Sequence, residues 1–174
     1  MLTIAPLLFS LLAPAPPPPA MMIRHPHFPK TVSMALGFGE DAKRLSVSHL
    51  TVTFNTSGFD EMPVGGAWHL ANGKFVTPID VTVGGQAVKA GTHRLLARKA
   101  EGGKWELVLD PEGKDFSREI SERAVSPTTE FETEQPKSEH LRIDLQPAGD
   151  KSDTTLWLEV HFDTYTARCL VETA

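Results

Sequence analysis

The sequence predicts an all-β protein, a single antiparallel β-sandwich of the jelly-roll or immunoglobulin-like kind. Three observations predict it. From Thr31 onward, apolar and polar residues alternate with a period of two in many short segments, the pattern of strands with one dry and one wet face. Turn signals rich in Gly, Pro, Asp and Ser separate these segments at intervals of roughly 8–12 residues. No stretch carries the 3.6-residue period of a long amphipathic helix. A chain of 174 residues fits one domain with a tail, and a body of that size needs no covalent staples. The single cysteine, Cys169, rules out an internal disulfide and reads as a small apolar residue of a late strand, ARCLV.

The chain divides into residues 1–20, a signal peptide with a proline-rich end, residues 21–30, a linker, and residues 31–174, the sandwich. Leu2 to Ala13 form an apolar run too short to span a bilayer and suited to the core of a signal peptide. The Ala13-Pro14-Ala15 pattern offers a cleavage site, although Pro16 follows it and no Lys or Arg precedes the run. Translation from Met21 or Met22 is the alternative. The expected location is secreted or periplasmic, with no stable membrane span after cleavage. Pro14 and Pro16 to Pro19 favour an extended stalk, and His25-Pro26-His27 belongs to that linker.

The first strand is expected where Val32, Met34, Leu36 and Phe38 alternate with Ser33, Ala35 and Gly37. Leu45 and Val47 then share one phase, and Leu50, Val52 and Phe54 the other, which predicts a bulge or break near Ser48. NTSGFDEMPVGG is a loop by composition. Strands follow at Gly66 to Ala71, Lys74 to Val83, Thr92 to Arg98 and Lys104 to Leu109. Val81-Thr82-Val83 runs into Gly84-Gly85 and out through Gln86-Ala87-Val88, a hairpin whose glycines supply positive φ. A second turn falls at Ala90-Gly91. The polar residues 111–138 are expected to hold a short helical turn around Ser117 to Arg123 and one edge strand. Late strands at His140 to Gln146 and Thr154 to Thr166 pair across PAGDKSD, with Ile143 opposite Leu158, Arg142 opposite Glu159 and His140 opposite His161.

Composition excludes some function classes. A formal net charge of −5, a pI near 5.8 and no basic run argue against nucleic acid as a partner. The Gly84-Gly85 pair lacks GxGxxG spacing and precedes no helix, so it cradles no phosphate. No serine sits in a nucleophile elbow, and His93 and Asp80 flank the hairpins without an assignable nucleophile. No cofactor is implied.

Two constellations remain. Glu159, His161 and Asp163 share one face of a strand, since i, i+2 and i+4 point the same way. With His140 nearby they could ligate a divalent metal, although an outer ladder of charged pairs with Arg142 reads the same pattern. Trp68, His69 and Asn72 could line a ligand pocket at one end of the sandwich. Trp157 shares the outward parity of Glu159, where a ring could stack on a sugar. Core or rim packing is the competing role of each tryptophan.

The run Asp80-Val81-Thr82-Val83-Gly84-Gly85 followed by Ala90-Gly91-Thr92 resembles the DUF2911 proteins, a bacterial family of unknown function. Trp68-His69-Leu70-Ala71-Asn72, the strand Lys104 to Leu109, Leu50 to Gly58 and Leu156 to Glu159 (or Val160 to Asp163) resemble further segments of that family, and the likeness covers roughly residues 50–166. It implies a secreted or envelope β-sandwich with no established catalytic residue. Thr56 and His69 stand where the family carries arginines, which makes this a divergent member. The function expected is that of a non-enzymatic binding or interaction module for an unknown ligand or protein partner. The alternatives are a carbohydrate- or small-ligand-binding domain using exposed aromatics, and a metal-dependent hydrolase at the Glu159, His161, Asp163 face.

Overall fold

The computed structural model describes residues 27–37, 39–53, 58, 60–149 and 154–173. The predicted signal peptide, most of the linker with His25, the alternative starts Met21 and Met22, and Phe38, Phe54 and Thr56 lie outside the described residues. Six strands come before residue 90: β1 (Pro29–Leu36), β2 (Lys43–Leu50), β3 (Ala67–Trp68), β4 (Lys74–Thr77), β5 (Val81–Val83) and β6 (Gln86–Val88). Six follow: β7 (Gly91–Lys99), β8 (Trp105–Asp110), β9 (Glu130–Glu132), β10 (Ser138–Pro147), β11 (Thr155–Asp163) and β12 (Tyr165–Thr173).

They form two antiparallel sheets, as the alternation predicts. The first runs β1-β2-β4-β7, with β3 beside β7 on the β4 side and β8 on the other. The second runs β10-β11-β12-β5-β6, with β9 also on β12. Between them lie Phe75, Leu45, Leu95, Leu107, Trp105, Ile143, Leu158 and Phe162, all fully buried. Chain segments close both flanks. Beyond Leu50 the main chain of β2 leaves β4 and meets β10, where Leu141 N–H donates to Val52 O at 2.9 Å and Thr53 bridges His140. On the far flank Val125 bridges Leu109, and Leu107 N–H donates to Thr129 Oγ1 at 3.0 Å. No helix of the described residues is long and apolar enough to cross a membrane.

The Gly84-Gly85 hairpin forms as expected, with φ of +49° and +78° between β5 and β6. Gly84 is also a point of close approach. A Cβ there would lie 2.5 Å from Thr128 O, because Thr128 N–H donates to Gly84 O at 3.0 Å. The hairpin is scaffold.

Several boundaries differ from the sequence reading, each for a physical reason. No bulge interrupts β2, which pairs with β1 residue for residue from Pro29↔Leu50 to Leu36↔Lys43. The inward phase of Leu45 and Val47 continues through His49, which is buried, and a histidine hides such a phase from apolar patterning. The predicted strand Lys74 to Val83 breaks at a corner where Thr77 Oγ1 donates to Ile79 O at 2.6 Å, so β4 and β5 enter different sheets. The strand expected from Thr154 to Thr166 reverses at Asp163-Thr164, where Asp163 has φ of +48°, and β12 returns beside β11. The β10–β11 register is two residues from the expected one: Leu145 faces Leu158, Ile143 faces Val160 and Arg142 faces His161. A slip of two keeps every side chain on its own face, so alternation cannot detect it. No helical turn forms at residues 117–123, whose main chain is instead held by buried charge. The expected edge strand is β9.

Candidate functional site

The site is built from an interruption in the first sheet. β3 and β4 lie in line along one side of β7, with Trp68 opposite Ala97 and Lys74 opposite Arg94. Residues 69–73 must therefore fit beside only Leu95 and Leu96, and the excess chain loops out. It does so through three consecutive left-handed residues, Leu70 (φ 43°), Ala71 (φ 54°) and Asn72 (φ 58°). Each costs about 1–2 kcal/mol without a glycine, so the surroundings must hold them. Leu70 and Ala71 are buried in the core. Gly73 N–H donates to Leu70 O at 3.0 Å, and Leu95 N–H to Gly73 O at 2.8 Å. A Cβ on Gly73 would come within 2.9 Å of Ile143 Cδ1 in the facing sheet.

The turn leaves His69 and Asn72 at its rim. His69 Nδ1 lies 3.4 Å from Asn72 N and accepts its N–H, which leaves the proton of the neutral ring on Nε2. Burial, reinforced by Arg118 and Arg94, holds the His69 pKa below the usual imidazole range, against a smaller opposing main-chain hydrogen bond. Asn72 Oδ1 is buried without a hydrogen-bond partner among the described residues. Beside it, Lys74 Nζ sits 3.1 Å from Asp115. Hydrogen bonding from Lys74 outweighs the opposing effect of burial, and with Asn72 it lowers the Asp115 pKa.

The facing loop, residues 111–121, is folded around one guanidinium. Arg94 Nη1 donates to Lys114 O at 2.6 Å and Ser117 O at 2.7 Å. Its Nη2 donates to Asp110 Oδ2 at 2.8 Å and to Glu119 O. Asp110 also accepts from Ser121 Oγ at 2.6 Å, Ser121 N and Glu112 N. Burial opposes this charge, but the hydrogen bonds from Ser121, Arg94 and Glu112 prevail and bring the Asp110 pKa down to about 2. Gly113 makes room, since a Cβ there would fall 2.0 Å from Arg94 Nη2. Within the loop, Ser117 N–H donates to Lys114 O at 3.1 Å, a turn that forces Phe116 to φ of +59°. Phe116 is 56% exposed and meets the His69 ring edge-on at 5.7 Å. Six non-glycine residues among those described have positive φ, and four of them meet here.

The other residues singled out by sequence are placed elsewhere. Trp68 packs on the core, its ring perpendicular to Phe162 at 5.6 Å. Trp157 carries the Arg168 guanidinium over one face at 4.8 Å, and Arg168 also bridges Glu130 and Glu132. Glu159 Oε1 lies 3.4 Å from Gln146 Nε2, and Asp163 lies 3.7 Å from Lys137 at the hairpin turn. His161 stands between Arg142 and Thr166, while His140 falls where the β10–β11 register shifts. Among the described residues no three His, Cys, Asp or Glu side chains form a group able to hold a metal ion. His93 Nε2 lies 2.8 Å from Lys89 O, and Asp80 accepts from Lys89 Nζ and Ala90 N. Both brace the turn before β7. Cys169 is buried with its thiol pKa pushed up to about 11 by desolvation.

Sequence reasoning reached Trp68, His69 and Asn72 but missed Arg94, Asp110 and Phe116. One signal was present: closing THRLLARK and WELVLD as a hairpin sets Arg94 opposite Asp110. No family model matches this chain, and no curated protein or solved structure matches it either.

Proposed function

We propose that the protein is a non-enzymatic, exported β-sandwich binding module whose recognition surface is the rim formed by residues 69–73 and the loop around Phe116. The observation that carries this reading is the concentration of left-handed, non-glycine backbone at one place beside an exposed phenylalanine. Strain of this kind persists only where surrounding structure holds it, and it clusters at ligand-contacting sites. The chemistry on offer is an aromatic face flanked by the Nε2–H of His69, the Asp115 carboxylate and the Asn72 amide. That combination suits a ligand with an apolar face and hydroxyl groups, as a pyranose has, so the carbohydrate-binding alternative moves from Trp68 and Trp157 to Phe116. The likeness of Asp80 to Thr92 to the DUF2911 pattern, together with the apolar run Leu2 to Ala13, supports the exported setting.

Thermal melting with a panel of simple glycans tests it. A ligand at about 100 times its Kd adds about 2.7 kcal/mol to the folded state, a shift of a few degrees. The shift is expected with at least one glycan and should vanish in Phe116→Gly, which suits the left-handed turn and keeps the fold. A shift unchanged in that variant, or none with any glycan, would sink this site assignment.

A further inference from the structure

The rims of the two sheets are not equally protected. A rim strand presents unpaired N–H and C=O groups, and proteins blunt it with brevity, charge, proline or a covering segment. β6 and β9 are three residues long. β8 is followed along its rim by Val125 and Thr129. β10 is met by the end of β2, carries Arg142 and Asp144, and finishes on Pro147. β1 is eight residues long, pairs with β2 without a bulge, and has no charge and no proline from Thr31 to Gly37. Among the described residues, no strand pairs with its outer side.

The polarity of that rim follows from register. Thr51 N–H donates to Phe28 O at 2.8 Å, and hydrogen-bonded pairs alternate along an antiparallel ladder. Lys30, Val32, Met34 and Leu36 therefore turn their main chain toward β2. Pro29, Thr31, Ser33 and Ala35 turn theirs outward, and Pro29, with no N–H to offer, suits that position. The side chains of Thr31 and Ser33 are small and exposed. Val32 and Met34 face the core yet stay only half-buried, so the inner face beneath β1 is incompletely covered.

We infer that β1 is the contact strand of a homodimer, pairing antiparallel with β1 of a second copy about a two-fold axis at Ser33. Unpaired main-chain groups on one line call for an extended strand as occupant, and this strand is its own complement. About Ser33, Thr31 faces Ala35, Val32 faces Met34 and Ser33 faces itself. Outward groups thus meet outward groups, small side chains meet small ones and apolar ones meet apolar ones. Lys30 falls opposite Leu36, and its ammonium is held on its own chain by Asp144 at 3.1 Å, so no like charges meet. A two-fold contact of this kind closes on itself.

Sedimentation equilibrium of the full chain reads the assembly first. A mass twice that of one chain is expected. A monomer at every soluble concentration, or an open series of larger species, overturns the proposal. Ser33→Lys sets two ammonium groups face to face at the axis while leaving the exposed outer face free to carry them. Loss of the dimer with an unchanged fold by circular dichroism is expected, and a dimer that persists overturns the assignment to β1. Ser33→Cys does not depend on tolerance of a charge. Cα atoms of a hydrogen-bonded pair stand about 5.5 Å apart, within disulfide reach, and the native Cys169 is buried. Mild oxidation should cross-link Ser33→Cys and leave wild type and Thr31→Cys uncross-linked, since Thr31 faces Ala35. Equal cross-linking of both variants, or of neither, overturns the register.

Discussion

Arg94 and His49 are both buried polar side chains of the first sheet, Arg94 on its outer face beneath the loop 111–121 and His49 on its inner face with Leu45 and Val47, and the fold treats them in opposite ways. Arg94 is wrapped: three carbonyls of one loop and the Asp110 carboxylate meet its terminal nitrogens. Asp110 in turn has its remaining lone pairs filled by Ser121 and Glu112. His49, on β2, has neither ring nitrogen hydrogen-bonded among the described residues. Burial pushes its pKa down and Lys30 adds to this, while Asp144 and the Leu141 main chain pull weakly the other way. The difference shows two ways to bury a polar side chain. A permanent charge stays buried only where a loop is built around it, whereas a histidine stays buried by giving up its proton.

The largest expected effect comes from unwrapping the charge. Arg94→Leu leaves the buried Asp110 and three carbonyls facing a methyl group, and should cost about 3–5 kcal/mol. The urea midpoint should fall accordingly with the slope unchanged; a loss below about 1 kcal/mol would mean the pair is not the fastener of the loop. Acid does the same more gently. The folded pKa of Asp110 is about 2, below the unfolded value, so its stabilisation is complete above pH 4. It disappears as pH falls toward 2, a loss of about 2 kcal/mol that chemical denaturation at stepped pH would record and that should be absent from Asp110→Asn. Ser121→Ala removes the 2.6 Å hydroxyl contact and should cost about 1.5 kcal/mol.

The smallest effect has the opposite sign. His49→Leu replaces an unpaired imidazole with an apolar side chain and should stabilise the fold by about 1 kcal/mol near neutral pH. It should also flatten the pH dependence. A histidine whose folded pKa is depressed supports the fold above its unfolded pKa, near 6.5, and opposes it as the pH falls below that value. Wild type should therefore lose stability from pH 7 to pH 5 more steeply than the variant. Equal slopes would show that His49 does not set this dependence.

Much of the fold was legible because burial on one face leaves an alternating record. β1, β10 and the Gly84-Gly85 hairpin follow directly from it, whereas β7 and β8, buried on both faces over much of their length, show instead as short apolar runs between turns. Two of the misreadings share one cause, a residue whose type contradicts its position. His49 occupies an inward position and Arg94 a covered position on the outer face, both in polar dress, so alternation places a break near Ser48 and hides the importance of Asp110. The β10–β11 register escaped because Ile143 and Leu145 are interchangeable to a pattern with period two. At the candidate site, the sequence points to Trp68, His69 and Asn72 together; Trp68 packs on Phe162, while His69 and Asn72 stand at the rim. Nothing in LAN announces three left-handed residues, and Phe116 takes its conformation from a guanidinium distant in sequence.

β12 imposes an order on how the chain can be made. It lies at the centre of the second sheet, with β11 on one side and both β9 and β5 on the other. During synthesis the ribosome releases β5 long before the strand that β5 must lean on, and β9 waits as well. Until Thr173 emerges from the exit tunnel, half of the hydrophobic interior has no opposing wall. Such late closure of contacts distant in sequence slows folding and leaves the nascent chain in need of a chaperone's cover. Pulsed proteolysis of arrested chains should show protection arriving in one late step.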